Sequence, residues 1–114
     1  MIRYKRGDVI LVPFPFSDQT TAKKRPAIIV SSDAYNGISR DIVIMAITGQ
    51  IGSHIGLGEF LIQEWQDAGL LRPSAVKSAI STIEQRLVVK SLGRLSSRDL
   101  STLEKGLKEL FDLR

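Results

Sequence analysis

The sequence predicts a small, mainly antiparallel β-barrel with one α-helix packed on it at the C-terminal end. Three observations lead to this prediction. The chain has 114 residues, enough for one domain over residues 1–114 with a real hydrophobic core. Short apolar, β-branched runs recur through most of it, separated by glycine, proline and polar segments. Only the last part changes to a helical spacing of apolar residues, so one helix follows several strands.

Two strands are predicted near the N-terminus, with a polar loop between them. "DVILVPF" (8–14) is rich in β-formers and stops at two prolines, which donate no backbone hydrogen bond and therefore end a strand or place it at an edge. "FSDQTTAKK" (16–24) is polar and aperiodic, which is typical of a loop. "PAIIVSS" (26–32) is the second strand, and the turn-forming residues of "DAYNG" (33–37) predict a turn after it.

The middle of the chain supplies the most apolar strand. "DIVIMAIT" (41–48) is almost continuously apolar and β-branched, which is typical of a central strand buried on both faces. Four glycines in "GQIGSHIGLG" (49–58) then predict a loop or a bulged strand. The segments that follow are predicted as a short strand (59–62), a turn or single helical turn (63–74) and two further strands (75–83 and 87–93).

The C-terminal segment predicts an amphipathic helix. Its apolar residues fall on one helical stripe: Leu100, Leu103, Leu107, Leu110 and Phe111. Ser96, followed three residues later by Asp99, has the form of a capping box with Asp in place of the usual Glu. Glu104 and Lys108 are spaced as an i,i+4 ion pair in the favourable order.

The excess positive charge is concentrated at the N-terminal end. The formal net charge is +4, from 16 basic and 12 acidic residues. Residues 1–25 carry six basic and two acidic side chains, so the remainder carries ten of each and contributes nothing to the excess. Such an asymmetry is expected of a surface that faces an anionic partner, most commonly nucleic acid.

Composition excludes several function classes. The chain has no cysteine, which rules out disulfides, zinc–thiolate sites and thiol nucleophiles and favours a cytoplasmic location. His54 is the only histidine, so a mechanism that needs two imidazoles is excluded, and we expect no metal site and no cofactor. We also expect no membrane span and no secretory signal, and neither nucleotide-binding glycine motif is present.

A basic and a hydroxyl side chain stand at the ends of two predicted strands. Arg25 directly precedes Pro26, which biases its backbone to an extended conformation at the start of the second strand. Thr48 ends the third strand, just before Gly49. If the two strands are neighbours, the guanidinium and the hydroxyl converge at one rim of the barrel. This pair suits a phosphodiester, because arginine can hold two phosphate oxygens while threonine donates to a third.

Four stretches carry a resemblance that covers nearly the whole chain: "KRGDVILVPFPFSD", "KRPAIIVSS", "DIVIMAIT" and "TIEQRLVVKSLGRLSSRDL". Within them, "RGD" before the first strand, "RP" at the second and "IT" ending the third are specific in combination. Together they resemble the MazF/PemK family of toxin endoribonucleases. The resemblance implies a homodimeric, SH3-like barrel that cleaves single-stranded RNA without a metal and is neutralised by a cognate antitoxin.

The resemblance also implies the catalytic residues, with the family's arginine on Arg25 and its Ser/Thr on Thr48. RNA supplies its own nucleophile, the 2′-hydroxyl, so an enzyme need only orient it and stabilise the charge that develops on phosphorus. Attack leaves a 2′,3′-cyclic phosphate and a free 5′-hydroxyl. Arg25 would stabilise the charge and Thr48 would fix the phosphate. Arginine is a poor general base because its guanidinium holds its proton very tightly, so the proton acceptor stays open.

Further residues are expected to bind RNA. The loop 16–24 corresponds to the family's variable loop over the active site, and there the candidate contacts are Ser17, Gln19 and Thr20. Candidates for salt-dependent contacts to the RNA backbone are Arg6, Lys23 and Lys24. The spacing of residues 75–86 differs from that of the best-known members, so Gln85 and Arg86 receive no role. The antitoxin would be a short, acidic, partly disordered segment that wraps the basic groove.

Two other function classes stay open at this point. A toxin of the same fold that resembles CcdB would bind DNA gyrase rather than cut RNA, although it would have no use for Arg25 and Thr48 together in a basic groove. An SH3-like barrel that only binds nucleic acid or a protein would fit the basic N-terminal quarter equally well. Salt-sensitive RNA binding without cleavage would favour that binding module.

Overall fold

The computed structural model describes residues 3–13 and 23–114. Paired strands are antiparallel, and the sheet order is β4–β5–β3–β2–β1–β6. The sheet curls into a half-barrel, which confirms the predicted fold class: mainly β and SH3-like, with a C-terminal helix. The described elements are, in order, β1 (Asp8–Pro13), β2 (Lys24–Ile29), α1 (Asp33–Ile38), β3 (Asp41–Thr48), β4 (Phe60–Leu61), β5 (Ala75–Glu84), a 3₁₀ turn (Gln85–Leu87), β6 (Lys90–Arg94) and α2 (Ser97–Phe111).

Strand β3 lies inside the sheet and is buried on both faces, as predicted. Met45 and Ile47 belong to one apolar cluster, against which α2 packs. Ile42 and Ile44 belong to a second cluster, formed with β1 and β2. Each of these four side chains is at most 3% exposed, and burying one contributes about 1.5–3 kcal/mol. Packing on both faces therefore fixes β3 and, with it, the position of Thr48 at its end.

Residues 33–37 form part of a helix, so the predicted turn is wrong. Within α1, Asn36 is buried and donates its side-chain amide to the backbone carbonyls of Tyr4 and Ser31 at 3.2 and 3.1 Å. A buried amide must be paired. These tertiary hydrogen bonds therefore outweigh the turn preference that Asn and Gly show in the local sequence.

Strand β6 begins three residues later than predicted, because a 3₁₀ turn precedes it. The turn starts at Gln85, whose side-chain nitrogen donates to the backbone carbonyls of Asn36 and Ser39 at 2.8 and 2.9 Å. Gln85 thus ties the turn to α1, at the end of the sheet away from Thr48. Its contacts are structural.

Helix α2 starts where the sequence predicts, but Asp99 has a different role. The Ser96 hydroxyl accepts the backbone N–H of Asp99 at 3.2 Å and caps the helix. The fully buried Asp99 carboxylate, instead of capping in return, accepts the backbone N–H groups of Gln63 and Glu64 at 3.0 and 2.8 Å. Asp99 therefore ties the segment 63–74 to α2.

The apolar stripe of α2 is only partly buried. Leu103 lies inside the first cluster, but Phe111, the last residue of α2, is 54% exposed. The expected pair of Glu104 with Lys108 is replaced by an ion pair between Glu104 Oε2 and Arg6 Nη1 at 3.4 Å. In the described part of the chain, no helix is long and apolar enough to cross a membrane.

The segment 63–74 joins β4 to β5 and is a turn, as predicted. It packs against β6, which is the strand at the other edge of the sheet. Gly69 has a φ of +78°, and a side chain there would clash with the carbonyl oxygen of Leu92. A Cβ on Gly93 would in turn come within 2.7 Å of the backbone of Ala68. Glycine permits this close backbone contact, which places the second half of the segment near the ends of β1 and β3.

Candidate active site

The register of the sheet places Arg25 level with Thr48. Strand β2 starts two residues earlier than predicted, so Arg25 belongs to the strand and pairs with Val12 of β1. On the other side of β2, Ala27 pairs with Ala46 of β3. Continuing this antiparallel register by two residues brings Arg25 opposite Thr48. The two strands are neighbours, which is the condition on which the predicted convergence of the two side chains depends.

Both side chains line one open groove of about 830 Å³ at this end of the sheet. Other polar side chains of the lining are Gln50, Ser74 and Ser91. Positive side chains that face one groove repel each other and create a positive potential. A bound anion reduces this repulsion. Among the described residues, the lining contains five basic side chains and no acidic one: Lys23, Lys24, Arg25, Arg72 and Lys90.

The Thr48 hydroxyl is held by a local hydrogen bond. Its Oγ1 accepts the backbone N–H of Gln50 at 3.1 Å, and the side chain is half-buried while Arg25 is exposed. This contact uses a lone pair of the oxygen and leaves the hydroxyl proton free to be donated. The Thr48 hydroxyl can therefore donate to a ligand in the groove that Arg25 also lines.

The predicted RNA contacts separate into three groups. Lys23 and Lys24 line the groove next to Arg25. Arg6 does not: its Nε donates to the Val30 carbonyl at 2.8 Å, and it pairs with Glu104. The residues that lie outside the described part of the chain are Ser17, Gln19 and Thr20.

Arg6 lies at the opposite end of β1 from the groove. Asp8, at the start of β1, is four residues from Val12, which pairs with Arg25. Four residues of strand span about 13 Å at about 3.3 Å each, and Arg6 precedes Asp8. Arg6 is therefore separate from the groove that Arg25 and Thr48 line, and its contact with the RNA backbone stays a prediction.

Two basic residues of the groove were missed from the sequence. Arg72 comes from the 63–74 segment and Lys90 from the start of β6. One signal was available: Arg72 precedes a proline, as Arg25 does, and proline restricts the residue before it to extended conformations. Lys90 stands in an ordinary strand sequence without such a signal.

The glycine-rich loop that follows Thr48 is anchored at its far end by Glu59. The Glu59 carboxylate accepts the backbone N–H groups of Ser78 and Gly56 at 3.0 and 2.9 Å, and Lys77 Nζ lies 3.3 Å away. The two backbone donors, followed by Lys77, hold the pKa of Glu59 below its ordinary value. The loop 49–58 is therefore tied to β5 by an ionised carboxylate.

A second depression, of about 590 Å³, lies at the opposite end of β3. Its lining also contains basic residues, but two carboxylates accompany them: Asp33 and Glu84. Glu84 pairs with Arg86, Nε to Oε2 at 2.9 Å, and this contact lowers the pKa of Glu84. Because part of its positive charge is already neutralised, this depression is a weaker candidate for an anion site than the groove.

The single histidine and the acidic side chains do not form a second candidate site in the ranges 3–13 and 23–114. His54 is exposed in the 49–58 loop and does not line the groove. Within those ranges, no group of three or more His, Cys, Asp or Glu side chains is arranged to hold a metal ion. The groove around Arg25 and Thr48 is therefore the best candidate site that the described residues offer.

Comparison with known proteins gives matches over almost the whole chain. A family model described as PemK-like, MazF-like toxin of type II toxin-antitoxin system matches residues 5–111. A MazE–MazF crystal structure from Deinococcus radiodurans has a TM-score of 0.76 at 16% identity, covering 99% of this chain and 100% of that chain. The Mycobacterium tuberculosis toxin MazF-mt6 has a TM-score of 0.71 at 21% identity, covering 96% and 99%. An endoribonuclease in complex with its cognate antitoxin, from a mycobacterial species, has a TM-score of 0.71 at 18% identity, covering 100% and 98%. No curated protein matches the chain in sequence.

The structural similarities, at these low identities, show that the fold is shared. The family model adds a match in sequence, and its range includes Arg25, Thr48 and every described residue that lines the groove. The chain therefore belongs to the family of PemK-like, MazF-like toxins of type II toxin–antitoxin systems.

Proposed function

We propose that this protein is the toxin of a toxin–antitoxin pair and acts as an endoribonuclease that cuts single-stranded RNA at a specific sequence without a metal ion. One observation carries the proposal: Arg25 and Thr48 stand level on neighbouring strands, in a groove whose described charged side chains are all basic. Similar solved structures are named endoribonuclease and MazF toxin, which supports the same class of activity. A guanidinium beside a hydroxyl suits a phosphodiester substrate.

In the proposed reaction, the RNA 2′-hydroxyl attacks the adjacent phosphorus. A bond forms between the 2′-oxygen and phosphorus, and the bond from phosphorus to the 5′-oxygen breaks. The 2′-hydroxyl loses one proton and the departing 5′-oxygen gains one, so the products are a 2′,3′-cyclic phosphate and a 5′-hydroxyl. Arg25 donates N–H groups to the phosphoryl oxygens as their negative charge grows.

Thr48 fixes the scissile phosphate in this scheme. Oγ1 accepts the Gln50 N–H at 3.1 Å, and the hydroxyl proton stays free to be donated to a phosphoryl oxygen. Positioning of this kind lowers the barrier because the reacting atoms are held together before the reaction. Lys23 and Lys24 bind phosphates further along the strand and make affinity depend on salt.

The same groove would bind the antitoxin. An acidic, partly disordered segment laid over the groove would pair with its five basic residues and cover Arg25, which blocks RNA from entering. Similar solved structures contain MazE with MazF, and an endoribonuclease with its cognate antitoxin. We further propose that the toxin acts as a homodimer in the cytoplasm, where messenger RNA is its substrate.

The test is cleavage of single-stranded RNA in excess EDTA, followed by analysis of the product ends. The wild type is compared with Arg25→Ala and with Arg98→Ala, a control that removes an exposed arginine of α2 outside the groove. We expect the wild type and Arg98→Ala to give cyclic phosphate and 5′-hydroxyl ends at similar rates. Arg25→Ala should lose cleavage while it retains the same fold by circular dichroism.

Other outcomes would revise the proposal in different ways. Cleavage that requires added Mg²⁺ would contradict the metal-free mechanism. RNA left intact over several unrelated sequences, by protein shown to be folded, would contradict the ribonuclease. In that case, salt-sensitive RNA binding would indicate a binding module, and its absence would favour a toxin directed at a protein such as DNA gyrase.

A further inference from the structure

We propose that Arg72 binds the RNA phosphate next to the scissile one, so that two arginines flank Thr48 from opposite sides of β3. This inference rests on the proposed function and adds a residue to the same site. Arg72 lies 47 residues after Arg25 in the chain, yet both line the groove. Four observations support the assignment: its side of the sheet, its contact with Gly49, its anchored backbone and the lack of an acidic partner for it among the described residues.

The sheet places Arg72 and Arg25 on opposite sides of Thr48. Thr48 is level with Arg25 on the β2 side and pairs with Ala75 on the β5 side. Arg72 precedes Ala75 by three residues, so it reaches the groove from the β5 side. The strands on either side of β3 are about 10 Å apart, which is two spacings of about 4.8 Å. Because Arg25 and Arg72 reach the groove from different sides of β3, we assign them to two neighbouring phosphates and not to a shared one.

The Arg72 side chain lies on the bare backbone of Gly49, the residue directly after Thr48. A Cβ built on Gly49 would be 2.6 Å from Cδ and 3.1 Å from Nε of Arg72. Atoms that close would overlap, so any other residue at position 49 would push the arginine away. The absence of a side chain at Gly49 therefore allows the Arg72 side chain to lie against the residue that follows Thr48.

The backbone that carries Arg72 is held on both sides. The buried Ser74 donates its hydroxyl to the Arg72 carbonyl at 2.9 Å, and its own carbonyl accepts the Ile62 N–H at 2.9 Å. Upstream, Gly69 packs against β6, and Pro73 restricts Arg72 to an extended backbone. An exposed side chain on a backbone anchored in this way is well suited to bind a ligand.

The guanidinium of Arg72 has no acidic partner within residues 3–13 and 23–114, where the ion pairs involve other residues. The charged side chains that share its groove, such as Lys90 and Arg25, are also cations. A phosphate would satisfy the guanidinium with two parallel N–H···O bonds and relieve the repulsion among these cations.

The test measures binding of a fluorescein-labelled, single-stranded 2′-O-methyl RNA of random sequence, which lacks the nucleophile and cannot be cut. Affinity is measured by fluorescence anisotropy from 50 to 200 mM salt for the wild type, Arg72→Gln and the control Arg98→Gln. Loss of one phosphate contact should weaken binding about tenfold and reduce the slope of log K against log salt by about 0.7. Arg98→Gln, which removes the same charge outside the groove, should match the wild type.

A second variant tests the contact itself. Gly49→Ala should displace the Arg72 side chain, and it should weaken binding by nearly as much as Arg72→Gln. The double variant should be little weaker than either single variant, because both remove the same interaction. Losses that add in full would contradict the contact. If Gly49→Ala does not fold, Arg72→Lys decides instead: it should keep the salt slope and lose affinity, since lysine cannot bind a phosphate in bidentate fashion.

Cleavage of unmodified RNA, measured in parallel, separates this inference from the proposed function. Equal affinities and slopes for Arg72→Gln and Arg98→Gln would overturn the role of Arg72, even if the wild type cuts RNA. Binding that depends on Arg72, in a wild type that leaves RNA intact, would support the phosphate site and overturn the ribonuclease.

Discussion

Removal of the Asp99 carboxylate should destabilise the fold and release the segment that carries Arg72. Asp99 is 0% exposed and accepts the backbone N–H groups of Gln63 and Glu64 at 3.0 and 2.8 Å. A hydrogen bond to a charged group contributes about 1.5–3 kcal/mol, and Asp99→Ala leaves two backbone donors without their acceptor. We expect the free energy of unfolding to fall by about 3–5 kcal/mol, out of the roughly 5–15 kcal/mol typical of a domain.

Thermal and urea unfolding measure this loss. In a domain of about 100 residues, 1 kcal/mol shifts Tm by roughly 4–8 °C, so Tm should fall by at least about 12 °C. Asp67→Ala is the matched control, because Asp67 is exposed in the same turn, and its effect should stay within about 0.5 kcal/mol. Asp99→Asn keeps one acceptor oxygen and should fall between the two. An Asp99→Ala variant as stable as Asp67→Ala would refute the anchoring role.

Three further changes test the site and its supports. Thr48→Val should slow RNA cleavage about 10²–10³-fold while Thr48→Ser stays active, and equal rates for the two variants would contradict the role of the hydroxyl. Backbone N–H groups of β5 and of the preceding loop hold the pKa of Glu59 below its ordinary value of 4.5. The stabilising effect of Glu59 is therefore complete above that value and is lost as pH falls through the lower folded-state pKa. Urea unfolding should show that the wild type loses stability relative to Glu59→Gln as pH falls below 4.5. Parallel pH profiles of the two proteins would contradict the stabilising role of the Glu59 carboxylate. In Gly69→Ala, the alanine must adopt a φ of +78° and its Cβ clashes with the Leu92 carbonyl. The protein should therefore lose about 1–3 kcal/mol of stability, measured as a lower Tm. An unchanged Tm would show that the turn does not depend on this contact.

Local patterns predicted those parts of the fold that depend on local apolar spacing. Strand β3 has the predicted bounds because continuous β-branched residues leave little alternative to a strand buried on both faces. Helix α1 was missed because buried hydrogen bonds of Asn36, to residues as distant as Tyr4, stabilise it. The role of Asp99 was missed for the same reason, since the Glu64 N–H that it accepts is 35 residues away. Hydrogen bonds between distant segments leave no periodic signal in the sequence.

The candidate site was predictable to the extent that it depends on strand ends. Arg25 and Thr48 stand at the start of one strand and the end of the next, and antiparallel pairing of those strands brings such positions together. Arg72 reaches the same place through a turn, and its position depends on Gly49, Gly69 and a buried hydrogen bond of Ser74. Each of these contacts joins residues that come together only when the chain folds. The one local signal was that a proline follows Arg72, as a proline follows Arg25.

The distribution of charge along the chain indicated an anionic partner but located the basic residues only in part. Strand β1 divides the basic N-terminal quarter: Arg6 lies beyond one end and pairs with Glu104, whereas Lys24 and Arg25 lie in the groove at the other. Arg72 and Lys90 add further positive charge to the groove, although they belong to residues 26–114, which carry no net charge. The positive potential is thus produced by the way strand ends and one anchored turn meet at a single rim. A phosphate chain laid across that rim would contact residues from four separate parts of the sequence, so its affinity would depend on the intact fold as much as on any basic segment.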